Sequence, residues 1–226
     1  MAKHEKTDIG ISTILNPVPV VMISSAGKDP KEASQRPNII TVAWAGTINS
    51  EPPMVSVSIR KSRHSYELIK ETGEFVINLV NKALAKNCDY CGVRSGSDED
   101  KFASCGLTAV KAECLDHAYY IAESPVNIFC KVKEIKELGS HDMFIAEIVG
   151  VKADSYLTDE SGRLCLDKAK LVAYNHGEYF ILGEKLGFFG YSVATPDVFE
   201  KRMGYKKERD KYKRLREQEP KRGKKF

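Results

Sequence analysis

The residues between Ser58 and Ser65 have the types and the spacing that bind a phosphate. Apolar residues at positions 55, 57 and 59 alternate with Ser56, Ser58 and Arg60, so this segment is predicted to be a β-strand with one polar face. The sequence Lys-Ser-Arg-His-Ser follows at 61–65, where the strand gives way to a predicted helix. Hydroxyl groups, guanidinium groups and free helix N-terminal amides all suit phosphate oxygens. We therefore predict that the chain binds a phosphorylated small molecule rather than a polymer.

The composition is that of an ordinary globular protein with a basic C-terminal segment. The chain has 226 residues, of which 42% are hydrophobic and 29% are charged. Residues 197–226 hold 13 Lys or Arg against 6 Asp or Glu, whereas the rest of the chain holds 22 against 25. We predict one domain at 1–195 and a helical or partly disordered tail at 196–226. Acidic residues interrupt this tail and aromatic residues are sparse in it, so a dimer arm or lid is favoured over nucleic-acid binding.

The N-terminal residues and the cysteines indicate a cytoplasmic protein. The first twenty residues carry four charged residues between Lys3 and Asp8 and contain no apolar stretch of signal-peptide length, and no run approaches the roughly 20 apolar residues that span a bilayer. The six cysteines are too few and too scattered for a disulfide scaffold, so we expect thiols. The first four follow the pattern C-x2-C-x13-C-x8-C, which is not the paired spacing of a zinc ribbon, and no metal site is predicted.

The pattern of apolar residues predicts a mainly β protein. Strands are expected at about 18–25, 39–45, 54–60, 75–80, 126–138 and 143–151, and helices at about 62–71, 82–90 and 98–104. Residues 171–193 are rich in Tyr, Phe and Gly and are not assigned by period. Most successive strands lack the intervening helix that a parallel sheet requires. The prediction is therefore an antiparallel β-barrel with peripheral helices.

Seven short blocks, in order along residues 12–193, resemble the flavin reductase-like family of FMN-binding split barrels, especially its flavoredoxin branch. They are N-I-I-T-V-A-W at 38–44, V-S-I-R-K-S-R-H-S-Y at 57–66, F-V-I-N-L at 75–79, C-G-V-R-S-G at 91–96, D-K-F at 100–102, G-S-H-D-M-F-I-A-E at 139–147 and L-G-E-K-L-G at 182–187. Any one block alone is weak evidence for the family, but seven blocks in the expected order are strong evidence for it. The resemblance implies a six-stranded antiparallel Greek-key barrel that forms a homodimer, with FMN near the interface.

The resemblance also implies roles for individual residues of this chain. Asn38 and Trp44 would contact the flavin, and the backbone of Thr41, Val42 and Ala43 would contact the ring edge. The FMN phosphate would be bound by Ser65, with help from Ser58, Arg60, His64 and Lys101. His141 would approach the flavin and stabilise the anion of its reduced form, and either Tyr174 or Phe180 would cover the ring. The family has Thr or Ser at position 65, and Ser65 keeps the hydroxyl group.

The expected activity is that of an FMN-dependent oxidoreductase. The resemblance implies that a hydride from NADH or NADPH arrives at flavin N5 and that electrons leave to free flavin, ferric iron or another small acceptor. The chain has no G-x-G-x-x-G and no G-x-x-x-x-G-K-[ST] fingerprint, so a dinucleotide would have to stack directly over the flavin. Two alternatives stay open: an electron carrier of flavoredoxin type that exchanges electrons with a protein partner, and a phosphate- or haem-binding split barrel without redox turnover.

Without the family resemblance, three of these residues would be interpreted as ordinary core, interface or surface residues. Trp44 is the only tryptophan, and a lone strand tryptophan is more often a core or interface residue than a ligand contact. His141 in a predicted hairpin turn would by default be a solvated surface residue. Lys101 follows Asp98, Glu99 and Asp100 and could equally be a solvated lysine. The family resemblance is what favours the functional role in each case.

Overall fold

The structure is a computed structural model that describes residues 4–204. Within these residues the chain divides into two compact units, one ending at Leu182 and the other beginning at Gly183. No helix among the described residues has the length and apolar composition to span a membrane. The predicted division between residues 195 and 196 stays a prediction, and most of the predicted tail lies outside the described residues.

Twelve strands and three α-helices make up the first unit, where short 3₁₀ turns also occur. The strands are β1 (Val18–Pro19), β2 (Val21–Ser25), β3 (Asn38–Val42), β4 (Ala45–Ser50), β5 (Pro53–Ile59), β6 (Glu74–Leu79), β7 (Ala109–Lys111), β8 (Tyr119–Ile121), β9 (Val126–Glu137), β10 (Asp142–Ala153), β11 (Val172–Asn175) and β12 (Glu178–Ile181). The helices are α1 (His64–Thr72), α2 (Ala85–Val93) and α3 (Lys101–Cys105).

The main sheet has seven strands in the order β3-β2-β6-β9-β10-β5-β4, and every neighbouring pair is antiparallel. The predicted mainly β, antiparallel class is therefore confirmed. The count of six strands was low because the single strand expected at 39–45 is two strands, which separate at Ala43 and Trp44. Two smaller sheets, β1-β11-β12 and β7-β8, complete the first unit.

Both faces of the central strands are buried. Successive residues of β2 alternate between two apolar clusters, since Val21 and Ile23 belong to one and Met22 to the other. The first cluster also contains the buried side of β5, where Val55, Val57 and Ile59 are 0–4% exposed, as the alternation in sequence predicts. Residues of α2 and α3 cover the second cluster. The helices are thus required to bury one face of the sheet.

Helix α1 begins four residues beyond the end of β5, after residues 60–63, and ends at a left-handed glycine. It begins after Arg63, whose backbone is extended, and Gly73 ends it with a φ of 70°, which favours glycine. Tyr66 and Ile69 face the core, at 4% and 0% exposure. This packing fixes the position of the helix N-terminus relative to the end of β5.

In the described part of the second unit, residues 183–204, the α-helix is α4 (Pro196–Met203). Phe188, Tyr191 and Phe199 form an aromatic cluster with ring centroids 6.1–6.4 Å apart. Lys185 Nζ donates to the carbonyl of Arg202 at 3.0 Å. These contacts connect α4 to the segment before it.

Candidate functional site

The break between β3 and β4 opens onto a cavity. Trp44 lies at this break with 48% of its surface exposed, and its carbonyl accepts a hydrogen bond from the Ser58 amide at 2.9 Å. The cavity has a volume of about 600 Å³, which is the size of many small-molecule sites. This main cavity is lined by residues 40–44 and 58–60, by Arg63 and His141, by Thr13, Leu15, Asn16, Val18 and Val20, and by Tyr174, His176, Gly177 and Tyr179.

Trp44 and His141 form an aromatic pair at the main cavity. Their ring centroids are 4.6 Å apart and the planes are tilted by 47°. Ser140 Oγ lies 2.9 Å from His141 Nδ1, so the hydroxyl group can orient the ring. Partial burial, followed by the positive charges of Arg60 and Arg63, lowers the pKa of His141. The imidazole is therefore mainly neutral at pH 7.

Part of the lining of the main cavity comes from the three-stranded sheet and its turn. Tyr174 on β11 lines the cavity and contacts Tyr179 on β12, with ring centroids 5.4 Å apart. The turn between these strands carries His176, whose amide donates to Asn16 Oδ1 at 3.2 Å. Phe180 is 47% exposed and lines neither cavity, so of the two aromatic residues predicted to cover the ring it is Tyr174 that lies at the site.

A smaller groove of about 40 Å³ lies at the N-terminus of α1. This basic groove is lined by Asn38 and Ile40, residues 62–65, residues 91–92, residues 94–96 and Lys101. Asn38 Nδ2 donates to Ser65 Oγ at 2.8 Å, and both residues are buried, at 3% and 1% exposure. The first residue of β3 is thereby bound to the first turn of α1.

Lys101 is a buried cation in the basic groove. It is 3% exposed, and its Nζ donates to the carbonyls of Ile39 and Cys91, each at 2.8 Å. No carboxylate pairs with it among the described residues. Burial lowers its pKa. A lysine ammonium has three N–H groups, so one remains for another acceptor.

His64 adds an unpaired nitrogen to the same groove. Its Nε2 is buried and has no hydrogen-bond partner among the described residues. Desolvation, and then the charges of Arg36 and Lys101, lower the pKa of His64. A buried polar atom without a partner costs free energy, and an anion in the groove would remove that cost.

A buried carboxylate supports the turn that carries His141. Asp142 is 0% exposed, and the hydroxyl group of Tyr66 donates to its Oδ2 at 2.6 Å. Lys61 Nζ lies 3.5 Å from the same oxygen. The hydrogen bond from Tyr66, followed by the charge of Lys61, lowers the pKa of Asp142. This network joins α1 to the start of β10, next to His141.

The predicted site residues fall into two neighbouring groups. The main cavity contains Thr41, Val42, Ala43, Trp44, Ser58, Arg60, His141 and Tyr174, and the basic groove contains Asn38, His64, Ser65 and Lys101. Arg63 and Ile40 line both and were not among the predicted residues, although Arg63 belongs to the donor-rich block at 61–65. Thr13, Leu15, Asn16 and His176 were also missed, because no pattern in sequence connects them to the cavity. Among the described residues, no three His, Cys, Asp or Glu side chains come together as a metal site.

Comparison with known proteins identifies the fold. Flavoredoxin of Desulfovibrio vulgaris (Miyazaki F) superposes with a TM-score of 0.76 and 35% identity over 84% of this chain and 100% of that one. Flavoredoxin from Methanosarcina acetivorans gives a TM-score of 0.74 and 26% identity over the same shares. The uncharacterised protein YddH of Escherichia coli (strain K12) is 31% identical over 166 residues, which is 73% of this chain and 85% of YddH. The likeness to the flavoredoxins confirms the predicted split-barrel class.

The family model described as "Flavin reductase like domain" matches residues 15–183. This range contains both cavities except for Thr13 at the rim of the main one. The chain belongs to the flavin reductase-like domain family.

Proposed function

We propose that the protein is an FMN-binding oxidoreductase in which the isoalloxazine ring occupies the main cavity and the phosphate occupies the basic groove. The observation that carries this proposal is that the two cavities share Ile40 and Arg63. One ligand can therefore extend from an aromatic-walled space into a cationic one. The likeness to two flavoredoxins supports a flavin as that ligand.

The charges in the basic groove support a phosphate there. Lys101 is a buried cation without a carboxylate partner, and His64 Nε2 is a buried atom without a hydrogen-bond partner, both among the described residues. Arg63 and the hydroxyl group of Ser65 lie at the same place, where the N-terminus of α1 adds free amides. A phosphate would neutralise the cation and accept these hydrogen bonds.

The walls of the main cavity support a flat ring. Trp44 and Tyr174 provide aromatic surface, and Thr41, Val42 and Ala43 line the cavity where the strand breaks. Backbone groups that are not used in a sheet ladder can hydrogen-bond the polar edge of a ring. FMN bound there would supply hydride chemistry at its N5. The neutral His141 can donate a hydrogen bond or take up a proton at this edge.

The hydride would come from NADH or NADPH, and the electrons would pass to free flavin, ferric iron or another small acceptor. The second candidate is a flavoredoxin-type electron carrier without its own NAD(P)H turnover, which the 35% identity to a flavoredoxin favours. We also propose that the protein is a cytoplasmic homodimer with FMN near the interface.

Two measurements test this function. Protein freed of ligand is titrated with FMN and with riboflavin, which has the same ring and no phosphate. FMN is expected to bind at least about tenfold more tightly, because the groove adds charge-assisted hydrogen bonds. Equal affinity for FMN and riboflavin would contradict the placement of the phosphate in the basic groove. If neither flavin bound, the proposed function would be wrong.

The FMN-loaded protein is then mixed anaerobically with NADH or NADPH while the visible absorbance of the flavin is followed. Rapid bleaching identifies an NAD(P)H oxidoreductase. Bleaching only after addition of a separate flavin-reducing enzyme identifies an electron carrier.

A further inference from the structure

Two cysteine side chains are in contact where helices α2 and α3 pack together. Cys91 Sγ on α2 lies 3.7 Å from Cys105 Sγ on α3, and both cysteines are free thiols. A disulfide bond has an S–S length of about 2.05 Å, so the two sulfur atoms would have to move about 1.6 Å closer. A displacement of this size is within the reach of side-chain rotation. The pair is therefore a candidate dithiol site, which the proposed function does not use.

Hydrogen bonds hold the two helices together around this pair. The hydroxyl groups of Tyr90 on α2 and Ser104 on α3 both donate to Glu99 Oε2, at 2.7 and 2.6 Å. Asn87 Nδ2 on α2 donates to the carbonyl of Cys105 at 3.2 Å. These bonds keep the two sulfur atoms close together in the folded protein, which raises their effective concentration for reaction with each other.

The two thiols differ in exposure. Cys105 is partly exposed at the C-terminal end of α3, whereas Cys91 is 1% exposed. A small molecule in solution therefore reaches Cys105 first, and Cys91 is placed to react with a modified Cys105 from inside. Burial raises the pKa of both thiols, so both are protonated at neutral pH and their exchange reactions are slow.

The dithiol also adjoins the basic groove. Cys91 is one of the residues that line the groove, and its carbonyl accepts the hydrogen bond from Lys101 Nζ at 2.8 Å. Lys101 is the first residue of α3 and Cys105 is the last. A bond between Cys91 and Cys105 would therefore restrain any movement of α3 that carries the buried cation of Lys101 away from the groove.

We propose that Cys91 and Cys105 form a redox-active dithiol that exchanges with small-molecule disulfides, and that the bond so formed slows the release of FMN from the basic groove. The thiolate of Cys105 attacks one sulfur of the small disulfide and expels the first small thiolate. The thiolate of Cys91 then attacks the Cys105 sulfur and expels the second. The two cysteines lose two protons and two electrons, and the small disulfide is reduced to two thiols. The exchange is independent of the proposed function, whereas the slower release of FMN rests on it.

The test uses the full chain with the substitution Cys114→Ser, because Cys114 is an exposed cysteine outside both helices that would itself react with a disulfide. The reduced protein is incubated for hours with oxidised glutathione, and thiols are counted after denaturation. We expect two of the remaining thiols to be lost, a mass lower by two hydrogen atoms, and a peptide map that joins Cys91 to Cys105. A further Cys105→Ser substitution should prevent the loss. The matched control is Cys165→Ser, which removes a cysteine that contacts Asp159 on a separate loop.

Two further measurements compare the oxidised and reduced forms. The disulfide is expected to raise the thermal midpoint by about 5 °C or more, because it closes a loop in the unfolded chain. FMN release, followed by the fluorescence of free FMN after dilution, should be at least about threefold slower in the oxidised form. Dithiothreitol should reverse both changes.

Three results would overturn the proposal: no loss of thiols, glutathione that stays bound to Cys105 without closure of the bond, or a bond that maps to Cys88 and Cys91. Equal rates of FMN release from the two forms would overturn the link to the basic groove. Failure of the reduced protein to bind FMN would count against the proposed function, whereas the thiol count and the peptide map would still decide whether the dithiol forms its bond.

Discussion

Asn38 Nδ2 donates a hydrogen bond of 2.8 Å to Ser65 Oγ, and both side chains are buried. The two residues are 27 positions apart, on β3 and on the first turn of α1. Their contact fixes the helix N-terminus against the strand that supplies the floor of both cavities. The two blocks that carried the family resemblance in this region, at 38–44 and 57–66, are therefore in direct contact.

Replacing Ser65 by Ala is expected to lower both stability and FMN affinity. The buried amide of Asn38 loses its acceptor, which costs about 1–3 kcal/mol in the free energy of unfolding. Ser65→Thr keeps the hydroxyl group and should retain most of the FMN affinity. Urea denaturation and FMN titration measure the two effects. If Ser65→Ala binds FMN as the unmodified protein does, the hydroxyl group is structural and the phosphate lies elsewhere.

Replacing Gly96 by Ala should disrupt the hydrogen bond between Asn38 and Ser65 by displacing Asn38. A Cβ at position 96 would overlap the carboxamide of Asn38, which is held in place by Ser65. Gly46→Ala is the matched control, because a Cβ there meets nothing within 4 Å. We expect Gly96→Ala to lower the thermal midpoint and the FMN affinity while Gly46→Ala changes neither. Equal effects of the two substitutions on the thermal midpoint and on FMN affinity would show that the Asn38 side chain can move aside without a loss of stability or binding.

The sequence predicts those parts of the fold and the site whose residue pattern lies within one short segment. The alternation at 55–59 and the helix that follows were predicted because burial on one face leaves a period of two. The strand break at Ala43 and Trp44 was not, since residues 39–45 form a continuous run of strand-forming residues. The hairpin β7-β8 was missed because each of its strands has only three residues.

The burial of Lys101 was not indicated by the local sequence for a related reason. The preceding Asp98, Glu99 and Asp100 suggest a solvated lysine, yet α3 directs its ammonium group to the carbonyls of Ile39 and Cys91. Ile39 lies 62 residues before Lys101 and Cys91 lies 10 residues before it on another helix, so no local pattern contains these acceptors. The division of the predicted residues between two cavities is likewise a property of the tertiary structure.

The single tryptophan makes the state of His141 measurable. Protonation of an imidazole 4.6 Å from the indole should quench its fluorescence, so emission is expected to fall as pH decreases. The pKa of His141 is lowered by burial and by Arg60 and Arg63, so the midpoint should lie below the ordinary value of about 6.5. Arg60→Gln removes one of these charges and should raise the midpoint. His141→Asn should abolish the transition, and a transition that survives it would belong to another group.

The hydrogen bond from Tyr66 to Asp142 should control stability in acid. The pKa of Asp142 is lowered in the folded state, so its contribution is present above the unfolded value of about 3.9 and is lost as pH falls through the folded pKa. The same interaction raises the pKa of Tyr66 to about 12, so its hydroxyl group stays protonated and donates throughout this range.

Tyr66→Phe removes this donor and raises the pKa of Asp142, so stability should be lower at neutral pH and should begin to fall at a higher pH. Tyr156→Phe is the control, because Tyr156 is half exposed and its hydroxyl group makes no hydrogen bond among the described residues. Urea denaturation at pH 7 and at several values between about 5 and 2 measures the difference. The gap between Tyr66→Phe and the unmodified protein should narrow in acid, where Asp142 becomes protonated in both. The absence of a gap at every pH would mean that Tyr66 stabilises the fold by packing against Phe144, whose ring centroid lies 5.3 Å away and which a phenylalanine still contacts, rather than by its hydrogen bond.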